Sequence, residues 1–512
     1  MTMAQQDRDP GPVAVDAPTR GRTPPEAPGR EPADRRRWRA LAVVQLAAFM
    51  VLLDVSIVNV ALPSIERELA VAPATAQWVV SGYALALGLT LVPAGRLGDS
   101  LGRRRMFLLA VAAFVLTSAL TGAAPNAGLL IAARLVQGVA GGMLIPQNSG
   151  LVQELFRGAE RGRAFGFIGA TAGLATAAGP VLGGLILSVV GGADSWRWVF
   201  YINVPIGVVT LLLAARLVPA GAGRRWRELD LDLVGSLLLG AAVLSLLLPV
   251  VEIDSGRFGR LSVLWVLAAL LLPLFAWWEL RTARRGRQPL LDLRLARTPG
   301  YCWGVGIGLV YFLGFTGIWL VFALYLQDGL GYSPLRSGLS VTPFALGVAV
   351  SAVVAGRLVS RIGRWVTVCG LTATVGGLLV TALVLRHAGG TGAEWTVLGP
   401  LLLAGLGGGM VTSPNLTLTL QNVPVQMAGA AGGAAQTAQR VGAAIGAATL
   451  ATIFYHALLR THHYPSAISD TLLAAAGFML LALLMALIEL ALGRRRSRPA
   501  PEHQPDHQPL RV

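Results

Sequence analysis

Fourteen stretches of this chain are long and apolar enough to cross a bilayer, and no other feature narrows its fold so far. A spanning helix needs about 20 mainly apolar residues. Such runs fall at 40–62, 77–97, 106–123, 127–148, 164–190, 199–218 and 231–251. They recur at 261–280, 301–327, 338–358, 366–386, 396–418, 430–457 and 469–491. Only 13% of the 512 residues are charged, about half the share usual in soluble domains. The expected fold class is therefore all-α and integral to the membrane. Residues 1–39 are rich in Pro, Gly, Asp and Arg and read as a disordered tail. They lack the short apolar core and small-residue cleavage site of a secretory signal. A second polar, basic tail is expected at 493–512.

Charge sets the orientation. The net charge is +16, and all 42 basic residues are arginine, with no lysine. In a polar chain such an excess would point to nucleic acid. Here, with the N-terminus inside, 33 arginines fall in the inner loops and tails. Seven fall outside, at Arg67, Arg197, Arg257, Arg260, Arg336, Arg386 and Arg460. Arginine concentrates on the cytoplasmic side of membrane proteins, so this bias predicts the topology without a nucleic-acid partner. An even number of spans places both termini in the cytoplasm, and the expected location is the plasma membrane. The missing lysine excludes a Walker A phosphate loop, a Schiff-base lysine and the kinase lysine. Cys302 and Cys369 stand alone in apolar stretches, form neither a disulfide framework nor a metal site, and are expected to be buried packing residues. No zinc-binding H-E-x-x-H pattern and no nucleophile elbow occurs. The chain is therefore expected not to be an enzyme and to need no metal or cofactor, with an ion gradient as its energy source.

An internal repeat organises the spans. Gly95 to Arg103 and Gly356 to Arg364 both read G-R-L-x-x-x-x-G-R, each at the inner end of the second span of a six-span block. Gly138 to Met143 and Gly405 to Met410 echo each other in the fourth span of each block. This predicts a six-helix bundle at 40–218, a linker carrying two extra spans at 219–299, and a second six-helix bundle at 300–492. Two related bundles around a central site are the architecture of an alternating-access carrier.

Several motifs carry a family resemblance. They are the first-span stretch Asp54 to Pro63, the inner loop Gly95 to Arg105 with Asp99 in its acidic position, and Arg134-Leu-Val-Gln137-Gly138 in the fourth span. Gly179-Pro180 and Gly183-Gly184 lie in the fifth, and Trp196 to Pro205 leads into the sixth. Over residues 40–492 the chain resembles the major facilitator superfamily, in particular its fourteen-span drug:proton antiporter subfamily. The resemblance implies a monomeric carrier that exchanges protons for a small-molecule substrate across the lipid bilayer. It implies a conformational latch at Gly95, Asp99, Gly102, Arg103 and Arg104. It also implies an antiporter motif at Ala175, Gly179, Pro180, Gly183 and Gly184. Ala175 and Thr171 stand where the family usually has glycine. Ser360 replaces the acid in the second copy of the inner-loop motif, so any latch there is expected to be weaker.

Charges inside a bilayer are expensive, about 2.5–3.5 kcal/mol even on insertion scales, and read as functional. Asp54 is the one carboxylate well inside a span, and Arg134 and Arg440 are the basic residues there. Asp54 lies roughly 12 Å and Arg134 roughly 10 Å from the outer ends of their spans at 1.5 Å per residue, so the two can meet. Burial favours a neutral carboxyl and a nearby arginine favours the charged one, which makes such a pair a place to take up and release a proton. The alternative is that Asp54 only fixes helix packing. Asp99 and its arginines act as a latch or as a solvated, topology-setting turn. Arg440, with Gln436 and Gln439, contacts substrate or braces the second bundle. Asn59, Gln137, Gln147, Asn148 and Asn415 are further polar candidates for the cavity. Trp78, Trp277, Trp278 and Trp395 are expected to anchor span edges at the interface.

The leading functional expectation is a proton-coupled antiporter exporting amphipathic or cationic small molecules, a multidrug efflux carrier. A dedicated exporter of one metabolite or self-made antibiotic is the second. A transport-inactive membrane sensor is the third.

Overall fold

The computed structural model describes residues 31–220, 232–252, 258–388 and 392–496. Of the tails expected at 1–39 and 493–512, residues 1–30 and 497–512 lie outside the described residues, while 31–39 and 493–496 continue the first and last helices. Among those described there is no strand, and fourteen helices are long and apolar enough to span a membrane. They are α1 (Glu31–Glu68), α2 (Thr75–Leu101), α3 (Arg103–Gly122), α4 (Ala127–Leu155), α5 (Gly158–Val190), α6 (Ala193–Leu217) and α7 (Leu233–Val250). Then follow α8 (Gly259–Arg284), α9 (Tyr301–Gly329), α10 (Arg336–Ile362), α11 (Trp365–His387), α12 (Trp395–Thr419), α13 (Val425–Thr461) and α14 (Tyr464–Leu492). Helix starts are set locally where a side chain takes an orphan N–H. Asn126 accepts from Leu129 N at 2.9 Å and Asp232 from Gly235 N at 2.7 Å. Prolines lie inside the spans at Pro93, Pro146, Pro180 and Pro343, which membrane helices tolerate where a neighbouring group takes the freed carbonyl, as Ser56 does for Thr176 before Pro180.

Two long seams join the first six helices to the last six. One runs between α5 and α10, the other between α2 and α13. Glycines let the backbones touch. Gly356 lies against Gly162 and Gly166 on the first seam, and Gly95 lies against Gly429 on the second, with no room for a Cβ at either. Small residues at such crossings are the usual means of close approach between membrane helices. The two extra spans pack on each other, and α7 also lies along α2 and α13. There Leu85, Val243, Leu247 and Val441 form a shared cluster. The outer surface is strongly apolar, with Val189 75% and Leu459 74% exposed, as a hydrocarbon-facing surface requires.

Three expectations change. The first helix begins at Glu31 rather than near residue 40, because its polar start docks. Arg37 pairs with Glu160 at 3.2 Å, and the Trp38 ring meets Phe156 with centroids 4.8 Å apart. Cys302 and Cys369 are exposed, not buried. Both lie on apolar spans whose outer faces meet hydrocarbon, where a small apolar thiol needs no packing partner. Trp78 and Trp278 are half-buried ties between helices rather than free interfacial anchors. Trp78 Nε1 donates to Glu252 Oε1 at 2.9 Å, and Trp278 Nε1 donates to Asp232 Oδ1 at 2.8 Å. Trp277 and Trp395 do face outward, 52% and 73% exposed.

The seam geometry makes a prediction. Gly356→Ala forces α10 away from α5 and should cost about 1–3 kcal/mol, the range for overpacking. Gly376→Ala, on α11 with open space at its Cβ, should cost nothing. Thermal unfolding of the two variants in detergent measures the difference.

Candidate functional site

Five helices converge on one polar centre inside the first bundle. Asp54 of α1 and Arg134 of α4 are fully buried and meet at 2.6 Å, Arg134 Nη1 to Asp54 Oδ2. The other carboxylate oxygen accepts from Gln137 Nε2 at 3.2 Å and from Asn203 Nδ2 of α6 at 2.9 Å. Arg134 also donates to Gln137 Oε1 and to the Val79 carbonyl of α2, both at 2.9 Å. Asn203 reaches Ser118 Oγ of α3 at 3.1 Å. The Arg134 guanidinium lies over the Tyr83 ring, 4.1 Å from its centroid, a favourable site for a cation. Each Asp54 oxygen is thus answered by donors on other helices, and protonating the carboxyl would release several of them at once. The sequence placed Asp54 and Arg134 at one depth and named Gln137. It missed Asn203, Ser118 and Tyr83, whose signal is only a polar group inside an otherwise apolar span.

At the arginine-rich end, Asp99 fastens α2 to α13. Its carboxylate accepts from Gly429 N at 3.1 Å and Ala430 N at 3.0 Å. These are orphan donors of the first turn of α13, which carries a positive partial charge. Arg103 Nη2 holds Asp99 Oδ1 at 2.8 Å and also donates to the Val425 carbonyl. Its Nη1 reaches the Gly150 carbonyl of α4 at 2.6 Å. Gly102, with φ of 97°, joins α2 to α3 in a conformation that side chains resist. Arg104 donates to the Ala215 carbonyl at the end of α6. The second copy does not clasp its seam. Ser360 bonds only to its own helix at the Arg357 carbonyl. Arg364 turns inward instead, to Asn415 Oδ1 at 2.6 Å and Glu489 Oε1 at 3.1 Å, a buried brace the sequence did not reveal.

The fifth-helix motif sits between α1 and α10. Pro180 has no N–H, so the Thr176 carbonyl four residues earlier lacks its helical donor, and Ser56 Oγ of α1 supplies one at 3.2 Å. Gly179 admits Ser56 where a Cβ would collide, and Pro180 packs against Gly338 of α10. Ala175 and Gly183 are buried and Gly184 is half-buried on the same helix. Thr171 takes a hydrogen bond from Gln45 of α1 at 3.1 Å.

Between the bundles lies a cavity of about 280 Å³, close to the lower size limit of ligand pockets. Its walls come from α1, α3, α4 and α5 on one side and α9, α10, α12 and α13 on the other. Asn148, Gln436, Gln439 and Arg440 line it. Four expected cavity residues do not. Asn59 is exposed and bonds to its own helix at the Val55 carbonyl. It stands five residues after Asp54, about 140° around the helix. Gln137 is consumed by the polar centre. Gln147 donates to the Ala94 carbonyl at 2.9 Å and fills the space over Gly98. Asn415 is held between Arg364 and the Gly304 carbonyl.

Two predictions follow from this geometry. Arg134→Gln leaves Asp54 buried without its counter-charge and should cost about 3–5 kcal/mol, the range for a broken buried pair. Adding Asp54→Asn should recover much of that loss in thermal unfolding, and strictly additive losses would deny the coupling. Asp99→Ala removes charge-assisted bonds worth about 1.5–3 kcal/mol each. Amide exchange at Gly429 and Ala430 should then quicken by about tenfold or more.

Comparison with known proteins agrees with this architecture. The family model for the Major Facilitator Superfamily matches residues 44–447. The probable actinorhodin transporter of Streptomyces coelicolor is 35% identical over 457 residues, covering 86% of this chain and 79% of that one. Puromycin resistance protein pur8 of Streptomyces alboniger is 37% identical over 438 residues, covering 84% of each. The crystal structure of the human organic anion transporter MFSD10 superposes with a TM-score of 0.64 at 16% identity, over 88% of this chain and 99% of that one. This multi-pass membrane protein belongs to the Major Facilitator Superfamily, within its fourteen-span drug-efflux branch.

Proposed function

We propose that the protein is a proton-driven exporter of amphipathic small molecules that works by alternating access. The observation that carries this reading is the sealed Asp54–Arg134 pair, borne by α1 and α4, which also wall a cavity between two related bundles. With Asp54 ionised, the pair and its amide donors tie α1, α4 and α6 together. Proton uptake would neutralise Asp54, loosen Gln137 and Asn203, and leave Arg134 to the Val79 carbonyl and the Tyr83 ring. Residues 40–218 and 300–492 would then rock about the cavity, carrying the 219–299 linker with them. The arginine-rich end would be cytoplasmic, as the positive-inside bias expects, with both termini there and the carrier in the plasma membrane. In that orientation the Asp99 clasp is a closed cytoplasmic gate.

Asp54 does not line the cavity, so substrate and proton would be exchanged through helix movement rather than by competition for one carboxylate. One charge crossing 100 mV supplies about 2.3 kcal/mol, so a proton gradient suffices without a bound cofactor. Each chain has its own cavity, which supports a monomeric carrier. The relatives named for actinorhodin and puromycin favour a second, narrower reading, export of a single antibiotic-like metabolite. The test is transport in reconstituted vesicles with an imposed proton gradient and a panel of aromatic compounds of both charges. Wild-type protein should drive efflux. Asp54→Asn should lose at least tenfold of the gradient-driven rate while keeping substrate binding. Full gradient-driven efflux by that variant would refute the proton site, and transport of one compound alone would favour the narrower reading.

A further inference from the structure

Arg440 is the one charged side chain among the described residues that line the central cavity. It is half-buried, and no carboxylate or hydrogen-bond partner meets it among the described residues. The other deeply placed arginines are all answered. Arg103 has Asp99 at 2.8 Å, Arg134 has Asp54 at 2.6 Å and Arg364 has Glu489 at 2.7 Å. The fold neutralises those three and leaves one positive charge facing the space where a ligand fits. Among the described residues no acidic side chain lines that space.

The opposite character of the same space is aromatic. Phe312, Phe315 and Trp319 of α9 line it as a continuous wall, with centroids 5.5 Å and 6.3 Å apart in sequence along the helix. Tyr311 and Phe344 back that wall at 5.2 Å from Phe315 and Trp319 respectively. Gly442 and Gly446 of α13 sit directly on the backbone of Leu309 and Leu313 of α9, which fixes the wall beside the helix that bears Arg440. Three buried polar atoms on the lining, Asn148 Oδ1, Thr412 Oγ1 and Ser413 Oγ, also have no partner among the described residues.

The geometry points to an aromatic organic anion as the cargo, its rings against Phe312, Phe315 and Trp319 and its acidic group on the Arg440 guanidinium. A carboxylate or ionised phenol fits the planar, multi-donor head of arginine. The unpartnered amide and hydroxyl groups serve the polar substituents of such a molecule. A cation of the same shape would meet an uncompensated positive charge and no carboxylate. This inference rests on the export reading and names its substrate class.

Tyr83 of α2 packs its ring against the Arg134 guanidinium, and its hydroxyl has no hydrogen-bond partner among the described residues. Protonating Asp54 leaves Arg134 uncompensated and does not repel an anion at Arg440. Exchange of proton for anion therefore rests on the helix rearrangement, and each cycle of one proton in and one monoanion out moves two charges. Export of an anion should respond to an inside-negative potential, whereas exchange of a proton for a monovalent cation is electroneutral.

Fluorescein and rhodamine 123 test this, because they share a xanthene body and differ in charge. Purified wild-type protein should bind fluorescein at least tenfold more tightly by fluorescence anisotropy, and vesicles should export it faster at inside-negative potential. Arg440→Gln should lose at least tenfold of the fluorescein affinity with no loss for rhodamine 123. Arg440→Lys, which keeps the charge, should lose less and controls for misfolding. Phe315→Leu should weaken binding while preserving the charge preference. A wild type that prefers rhodamine 123 or binds neither dye, or an Arg440→Gln that keeps its fluorescein affinity, overturns the inference. Equal gradient-driven transport of both dyes also overturns it while leaving the export reading intact. The expected binding order without gradient-driven transport of either dye supports the inference and overturns the export reading.

Discussion

A charge placed among apolar helices must be answered, and much of this molecule is arranged around that demand. An unpaired ion in hydrocarbon is costly enough to decide which helices pack together. Asp54 and Arg134 meet this demand by recruiting donors and acceptors from five helices. Arg103 and Asp99 meet it across the α2–α13 seam, and Arg364 meets it with Asn415 and Glu489 inside the second bundle. The same rule makes Arg440 informative, since it faces a cavity with no carboxylate among the described residues lining it.

The spans themselves were legible because twenty apolar residues in a row leave few alternatives. All fourteen expected runs coincide with helices. Their ends moved most where polar residues extend a helix beyond the apolar run, as Glu31 to Arg39 do by docking Arg37 and Trp38 on the α4–α5 region. The Asp54–Arg134 pair was legible too, because a rare acid and a rare arginine at one depth have few other partners, whereas the Arg364–Glu489 pair was not. The facing of uncharged polar groups was not. The spans show almost no apolar periodicity, since bundle and hydrocarbon are both apolar, so the sequence does not say how a helix is rotated. Asn59, Gln147 and Asn415 were therefore assigned to the cavity, although one faces outward and two are spent on helix packing. Asn203 and Tyr83 went unnoticed for the same reason, since nothing in a linear apolar run marks the polar residue that points inward.

The extra spans are fastened to the seam rather than appended to it. Trp78 of α2 reaches Glu252 at the end of α7, and Arg96 of α2 reaches Gln288 in the segment after α8. These two ties lie at opposite ends of α2. Between them, apolar side chains of α7 fill the groove between α2 and α13. A helix pair held at both ends of α2 cannot stay fixed while α2 moves relative to α13, so any rearrangement of that seam repacks α7 as well.

The two seams are alike in backbone and unlike in chemistry. Gly95 against Gly429 and Gly356 against Gly162 are matching close approaches produced by the repeated motif. Asp99 then adds a carboxylate across the α2–α13 seam, while Ser360 in the corresponding place bonds, among the described residues, to its own helix. Dispersion contacts at a glycine seam fall off within about an ångström of separation. A carboxylate capping a helix start is directional and electrostatic, and its hold depends on the first turn of α13 keeping its place. The arginine-rich end is thus closed by packing along both seams and by charge along one. Loss of the Asp99 charge would leave the α2–α13 seam with its glycine backbone contact and the Arg103 bond to the Val425 carbonyl.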